Sequence, residues 1–204
     1  MEIRELLGAM DVYDPYTSGH GERVAVYARE IARALGFSID EQRRVHWAGR
    51  LHDIGKLWVP LSVLQKADEL TPTERRVMQT HAQSGFQILS ESGLEDVGRI
   101  VEQHHERIDG QGYPAGCLGD QIDPIALIIS VADTYDAMTS DRVYRPALGR
   151  AIAMAELRRV AGTQLDARAV GAFLDLALSR AESKLGRAPG RRMLEEPLGA
   201  LPGC

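Results

Sequence analysis

The chain has 204 residues, 44% hydrophobic and 26% charged, with a net charge of -5 and a pI near 5.7. That is enough for one globular domain with a sizeable core, and the acidic balance excludes loose binding to a nucleic-acid polymer, which needs a basic face. Two cysteines, Cys117 and Cys204, exclude a disulfide framework and a thiolate metal cage. The longest apolar run, Ile125 to Ala132, is far short of the roughly 20 residues of a membrane helix. No signal peptide opens the chain, so a cytoplasmic protein without membrane contact is expected.

In chain order, a short helix is predicted from Glu2 to about Val12, broken at Asp14-Pro15 because proline moves its predecessor out of helical geometry. A second helix follows on the apolar spacing Val24, Tyr27, Ala28, Ile31, Ala32, Leu35, with Gly36 as its stop and His20 one turn upstream on the inward face. Ser38 with Glu41 forms a capping box for a helix whose apolar face runs Val45, Ala48, Gly49, His52, with Gly55 ending or bending it. A second capping box, Thr71 with Glu74, and Pro72 at the first position start a helix predicted to bury Val77, Met78, His81, Gly85, Ile88 and Leu89. After Gly93, Val97, Ile100 and Val101 mark a helical face that ends in His104 and His105.

Asp109 to Asp123 is glycine-rich and reads as a structured loop. The helix from Pro124 is apolar all round, so it is expected to be the central buried one, and it carries Asp133 and Asp136 on one face. Thr139 to Gly149 is an irregular connection holding Arg142 and Arg145, followed by a helix to about Ala161. Asp166 caps a last amphipathic helix through Val170, Phe173, Leu174, Ala177, Leu178 and Ala181, and 186–204 reads as a loosely ordered tail. No alternating strand pattern is found, so the expected fold is all-α, a single helical bundle.

Leu51-His52-Asp53-Ile54-Gly55-Lys56 is the centre of the functional reading. Neighbours on a helix point about 100° apart, so His52 and Asp53 do not grip one ion together, but a carboxylate can bridge two. Lys56, three residues after Asp53, suits a phosphate oxygen beside such a pair. His20, His52, His81, His104 and His105 all fall on inward faces or helix ends, and Asp133 lies on an apolar helix where a lone carboxylate is costly. One inward histidine is usually a core residue bonded to a carbonyl; five spread over four elements make that explanation much weaker. Imidazole and carboxylate donors without thiolate suit manganese, iron or zinc, and a two-metal centre performs phosphoester hydrolysis. No Ser, Cys or Thr is paired with a histidine as a nucleophile, so metal-activated water is the expected attacking group.

Thr17-Ser18-Gly19-His20-Gly21-Glu22-Arg23, Leu51 to Lys56, His81, His104-His105-Glu106-Arg107-Ile108-Asp109-Gly110-Gln111-Gly112-Tyr113-Pro114, and Val131-Ala132-Asp133 through Thr139-Ser140-Asp141-Arg142 together resemble the HD-GYP family, a subgroup of the HD-domain metal phosphohydrolases. The resemblance implies an HD-type domain over residues 1–185 and a phosphodiesterase that opens cyclic di-GMP to linear pGpG and on to GMP. It implies His52, Asp53, His81, His104, His105 and Asp133 as metal ligands with Asp53 bridging, Lys56 at the attacking water and phosphate, and Tyr113, Arg142 and Arg145 as substrate contacts. For Gly112-Tyr113-Pro114 a rigid supporting loop is the other reading. Asp136 is expected beside the ions and not on them. Two divalent ions are expected, iron or manganese ahead of zinc, nickel or magnesium. His20 matches a ligand found only in members with three ions, where a glutamate one turn earlier supports the third; here that position is Tyr16, a phenol neutral near pH 7.

Two departures from the family pattern are Lys66-Ala67-Asp68 in place of Lys-Pro-Gly, and Trp58 in place of a small residue, which would narrow the site. The rival readings are an HD phosphohydrolase acting on another nucleotide, and a non-catalytic module that docks a diguanylate cyclase or adaptor. A regulatory partner protein and a homodimer are both compatible with the family.

Overall fold

The computed structural model describes residues 3–141 and 146–185. Ten α-helices are seen among them: α1 Ile3–Tyr13, α2 Pro15–Ala34, α3 Ile39–Leu51, α4 Leu61–Leu64, α5 Pro72–Gln79, α6 His81–Glu91, α7 Glu95–Glu102, α8 Pro124–Thr139, α9 Arg150–Val160 and α10 Ala167–Leu185. Single 3-10 turns occupy Ile54–Trp58 and Gly119–Gln121. Among the described residues there is no strand, only isolated bridges between Asp109 and Leu118 and between Ala161 and Leu165. The fold is all-helical, and no helix of the described residues is long and apolar enough to cross a membrane.

α8 is central because it has no polar face over its first half: Ile125 to Ile129, Val131 and Ala132 are all buried. Asp123 starts it by accepting from Ile125 N–H at 2.7 Å, ahead of Pro124. α2 packs against α1, α3, α8 and α10. Tyr27, Tyr135 and Phe173 join three of these helices, with ring centroids 4.5–6.0 Å apart. α6 packs on α7 and on the 3-10 turn after Asp53, which brings the histidine-bearing segments together.

Both predicted capping boxes form, at Ser38 with Glu41 and at Thr71 with Glu74. Lys66 adds a 2.6 Å bond to Glu74, so the altered Lys66-Ala67-Asp68 turn is tied to the start of α5. The Lys66 bond, with the Thr71 backbone and hydroxyl, draws Glu74 down from 4.5 to about 2. A depressed carboxylate stabilises the fold fully above its unfolded value and loses that contribution as pH falls through its folded value. The stability difference between wild type and Glu74→Gln, from urea melts, is therefore expected near neutral pH and absent at about pH 2. An undiminished difference in acid would exclude this role.

The helix expected from Thr71 to Leu89 is divided at Thr80, and Val77 and Met78 are half-buried instead of buried. α7 ends at Glu102, before the histidine pair, and α3 ends at Leu51, so Gly55 lies in the 3-10 turn and does not terminate the helix. α4 was not anticipated by periodicity. On α10, Leu178 is 48% exposed despite its place on the apolar stripe.

Candidate metal centre

Three histidines stand just past helix ends. His52 follows α3, His81 follows α5 and His104 follows α7 by one or two residues. Each turns its Nδ1 back to a carbonyl three residues earlier: His52 to Gly49 O at 2.8 Å, His81 to Met78 O at 2.7 Å, His104 to Val101 O at 2.5 Å. These are among the last carbonyls of each helix, which the helix itself leaves open. A carbonyl only accepts, so each Nδ1 carries the proton and each Nε2 presents a lone pair to the interior. A backbone carbonyl on the far nitrogen is the usual way a ligating imidazole is oriented.

Two of the three Nε2 atoms face Asp53, and that of His104 faces His81 Nε2. Asp53 Oδ2 is 3.3 Å from His52 Nε2 and its Oδ1 is 3.5 Å from His81 Nε2. Burial would raise the Asp53 carboxyl, but the Lys56 ammonium outweighs it and holds it well below the usual range. Lys56 Nζ donates to Asp53 Oδ2 at 2.7 Å across the first turn of the 3-10 segment. Burial opposes the Lys56 charge, and Asp53 more than restores it.

His105 lies on the other side of His104, ring centroids 3.9 Å apart, and Tyr113 covers it at 4.7 Å. Burial, then His81, brings the His105 imidazole down to about 3, and burial also depresses His81 and His104. These rings are neutral at pH 7, as metal ligation requires.

His20 differs from the others. Its Nδ1 meets Asp136 Oδ2 at 2.7 Å and its Nε2 meets Asp133 Oδ1 at 3.0 Å, so both nitrogens carry protons. Burial pulls its pKa down, but the bonds to Asp133 and Asp136 raise it to about 9. Burial works against ionised Asp133 too, and the bond from His20 overcomes it. Arg23 grips Asp136 with Nε at 2.7 Å and Nη2 at 2.9 Å. Asp136 is thus beside the donor cluster, where the sequence put it.

The donors suit a divalent cation. His81 Nε2 and His104 Nε2 are 3.3 Å apart, lone pair facing lone pair. That contact is repulsive alone and is about the span of two nitrogens ~2.1 Å from one shared ion. Three sets have donor atoms within 4.8 Å of one another: His81, His104 and His105; His52, Asp53 and His104; His20, His52 and Asp133.

The profile of the HD domain matches residues 9–169. The chain belongs to the HD-domain family. Relatives include the 3'3'-cGAMP-specific phosphodiesterase 3 of Vibrio cholerae, 41% identical over 77% of this chain and 34% of that protein. The cyclic di-GMP phosphodiesterase response regulator RpfG of Xanthomonas campestris is 39% identical over 84% of this chain and 46% of its own length. The chain thus spans between a third and a half of these relatives. Among solved HD-domain folds, an HDG"Y"P protein of Bdellovibrio bacteriovorus superposes with a TM-score of 0.66 at 24% identity, covering 81% of this chain and 53% of that one.

The structure brings His20, His52, Asp53, Lys56, His81, His104, His105, Tyr113, Asp133 and Asp136 into one site. Arg142 and Arg145 lie outside the described residues, as does the side chain of Tyr16. Trp58 is 52% exposed. Two residues had no role assigned from sequence: Arg23, detectable one turn after His20 on the same helix face, and Glu106, whose partners are distant in sequence and left no local signal.

Proposed function

We propose that the chain is a metal-dependent phosphodiesterase that opens a cyclic dinucleotide, cyclic di-GMP, to pGpG and on to GMP. The convergence of the helix-end histidines His52, His81 and His104 around Asp53, with two Nε2 atoms against its carboxylate and the third against His81, carries this reading. In it, His52, Asp53, His81, His104, His105 and Asp133 hold two divalent ions, iron or manganese, and Asp53 reaches both. When bound, such a pair activates water at neutral pH and offsets charge on the entering and leaving oxygens. Lys56, kept charged by Asp53, binds a non-bridging phosphate oxygen. His20 stays oriented between Asp133 and Asp136 and faces the same space. Hydrolysis adds hydroxyl to phosphorus and leaves a proton on the ribose 3′ oxygen.

The test is anaerobic purification with iron(II) or manganese(II), followed by separation of products from cyclic di-GMP and, in parallel, 3'3'-cGAMP. The relative in Vibrio cholerae favours 3'3'-cGAMP as the second substrate to try. Faster turnover of that substrate would move the assignment within the class. No turnover of either at any metal loading would leave the docking module.

Arg142 and Arg145 follow the Asp133-bearing helix, and their forked donors suit phosphate or a guanine edge. Arg142→Ala is expected to raise KM about tenfold or more, the worth of one charge-assisted bond, while metal content stays normal. Loss of metal in that variant would remove this role.

A further inference from the structure

Glu106 directly follows the two histidines, is 1% exposed, and lies outside the donor sets. Its Oε1 accepts from Ala115 N–H at 2.7 Å and Gly116 N–H at 3.1 Å, and its Oε2 from Cys117 N–H at 3.0 Å. One buried carboxylate therefore holds three consecutive amides of the glycine-rich loop. The loop is folded tightly back on the histidine turn. Tyr113 N–H donates to His105 O at 3.2 Å, and a Cβ on Gly112 would overlap Arg107 N and stand 2.6 Å from His105 O. The result is a fixed place for the Tyr113 ring, inclined 31° to His105, with its centroid 6.4 Å from that of His81. Tyr113 thereby backs two of the three rings in the set His81, His104 and His105.

We infer that Glu106 is a positioning residue: by anchoring residues 115–117 it holds Tyr113 against His105 and presets the His81, His104 and His105 set for one ion. The side of the centre at His52 and Asp133 is independent of it. This rests on the metal reading given above. Asp53 and His104 connect the two sets, so the clamp acts on one side of a shared centre.

The test is calorimetric titration of the metal-stripped chain with manganese(II), with the cobalt(II) absorption spectrum as a readout of ligand field. Wild type is expected to take two ions. Glu106→Gln keeps at best the two bonds to Oε1 and turns an amide NH2 toward Cys117 N–H. It is expected to weaken one ion about 10–100-fold, the range for outer partners of metal ligands, to alter the cobalt spectrum, and to leave the other ion at wild-type affinity. Tyr113→Ala leaves the Glu106 bonds in place and is expected to weaken the same ion, so the double variant loses little more than either alone. Unchanged affinity for both ions in both variants overturns the inference, and so does equal loss at both. If Glu106→Gln does not fold, Tyr113→Ala decides by the same two criteria. A wild-type chain that takes up no ion overturns the metal reading, and this inference with it.

Discussion

Asp53→Ala is expected to lower turnover more than about a thousandfold, well beyond the 10–100-fold typical of a ligand's outer partners, and to bring metal content below one ion per chain. Asp53 is 4% exposed and its two oxygens face different histidines. The same change removes the 2.7 Å partner of Lys56. An ammonium that loses its 2.7 Å carboxylate partner costs about 3 kcal/mol, and the metal-free variant should melt below the metal-free wild type. Metal analysis, initial rates and thermal melts separate the two effects. Retained turnover with normal metal content would exclude the bridging role.

Gly55→Ala is expected to be the most disruptive conservative change outside the donor set. A Cβ at Gly55 would collide with His81 O and stand 2.5 Å from Gly85 N, and both are backbone atoms that no rotamer can move aside. The 3-10 turn would have to part from α6, costing about 3 kcal/mol or more and separating Asp53 and Lys56 from His81. Gly171→Ala, on α10 with nothing within 4 Å of the new methyl, is the matched control. It should gain about 0.5–1 kcal/mol through helix propensity. Equal melting temperatures for the two variants would show that the close approach is not rigid.

Much of the fold was legible because its signals are local. Both capping boxes, the proline starts of α5 and α8, and the unbroken apolar run of α8 each depend on residues within a few positions of one another. The helix breaks at His52, Thr80 and Gln103 were not, since the apolar spacing continues across them. At those ends a histidine side chain bonds a late carbonyl, and hydrophobic periodicity does not register such a bond. The inward placement of His20, His52, His81 and His104 was readable from their helical phase. Glu106 was not, because its amide partners are nine to eleven residues away and are brought to it only by the folded loop.

The helix-end histidines also determine where the chain tolerates a change in length. A residue inserted within α3, α5 or α7 rotates everything after it by about 100°, and carries His52, His81 or His104 off the common centre while leaving composition and helicity intact. The same insertion between Gly93 and Glu95 only lengthens a connection. Register along three short helices, more than the identity of any one packing residue, is therefore what an insertion or deletion would have to preserve.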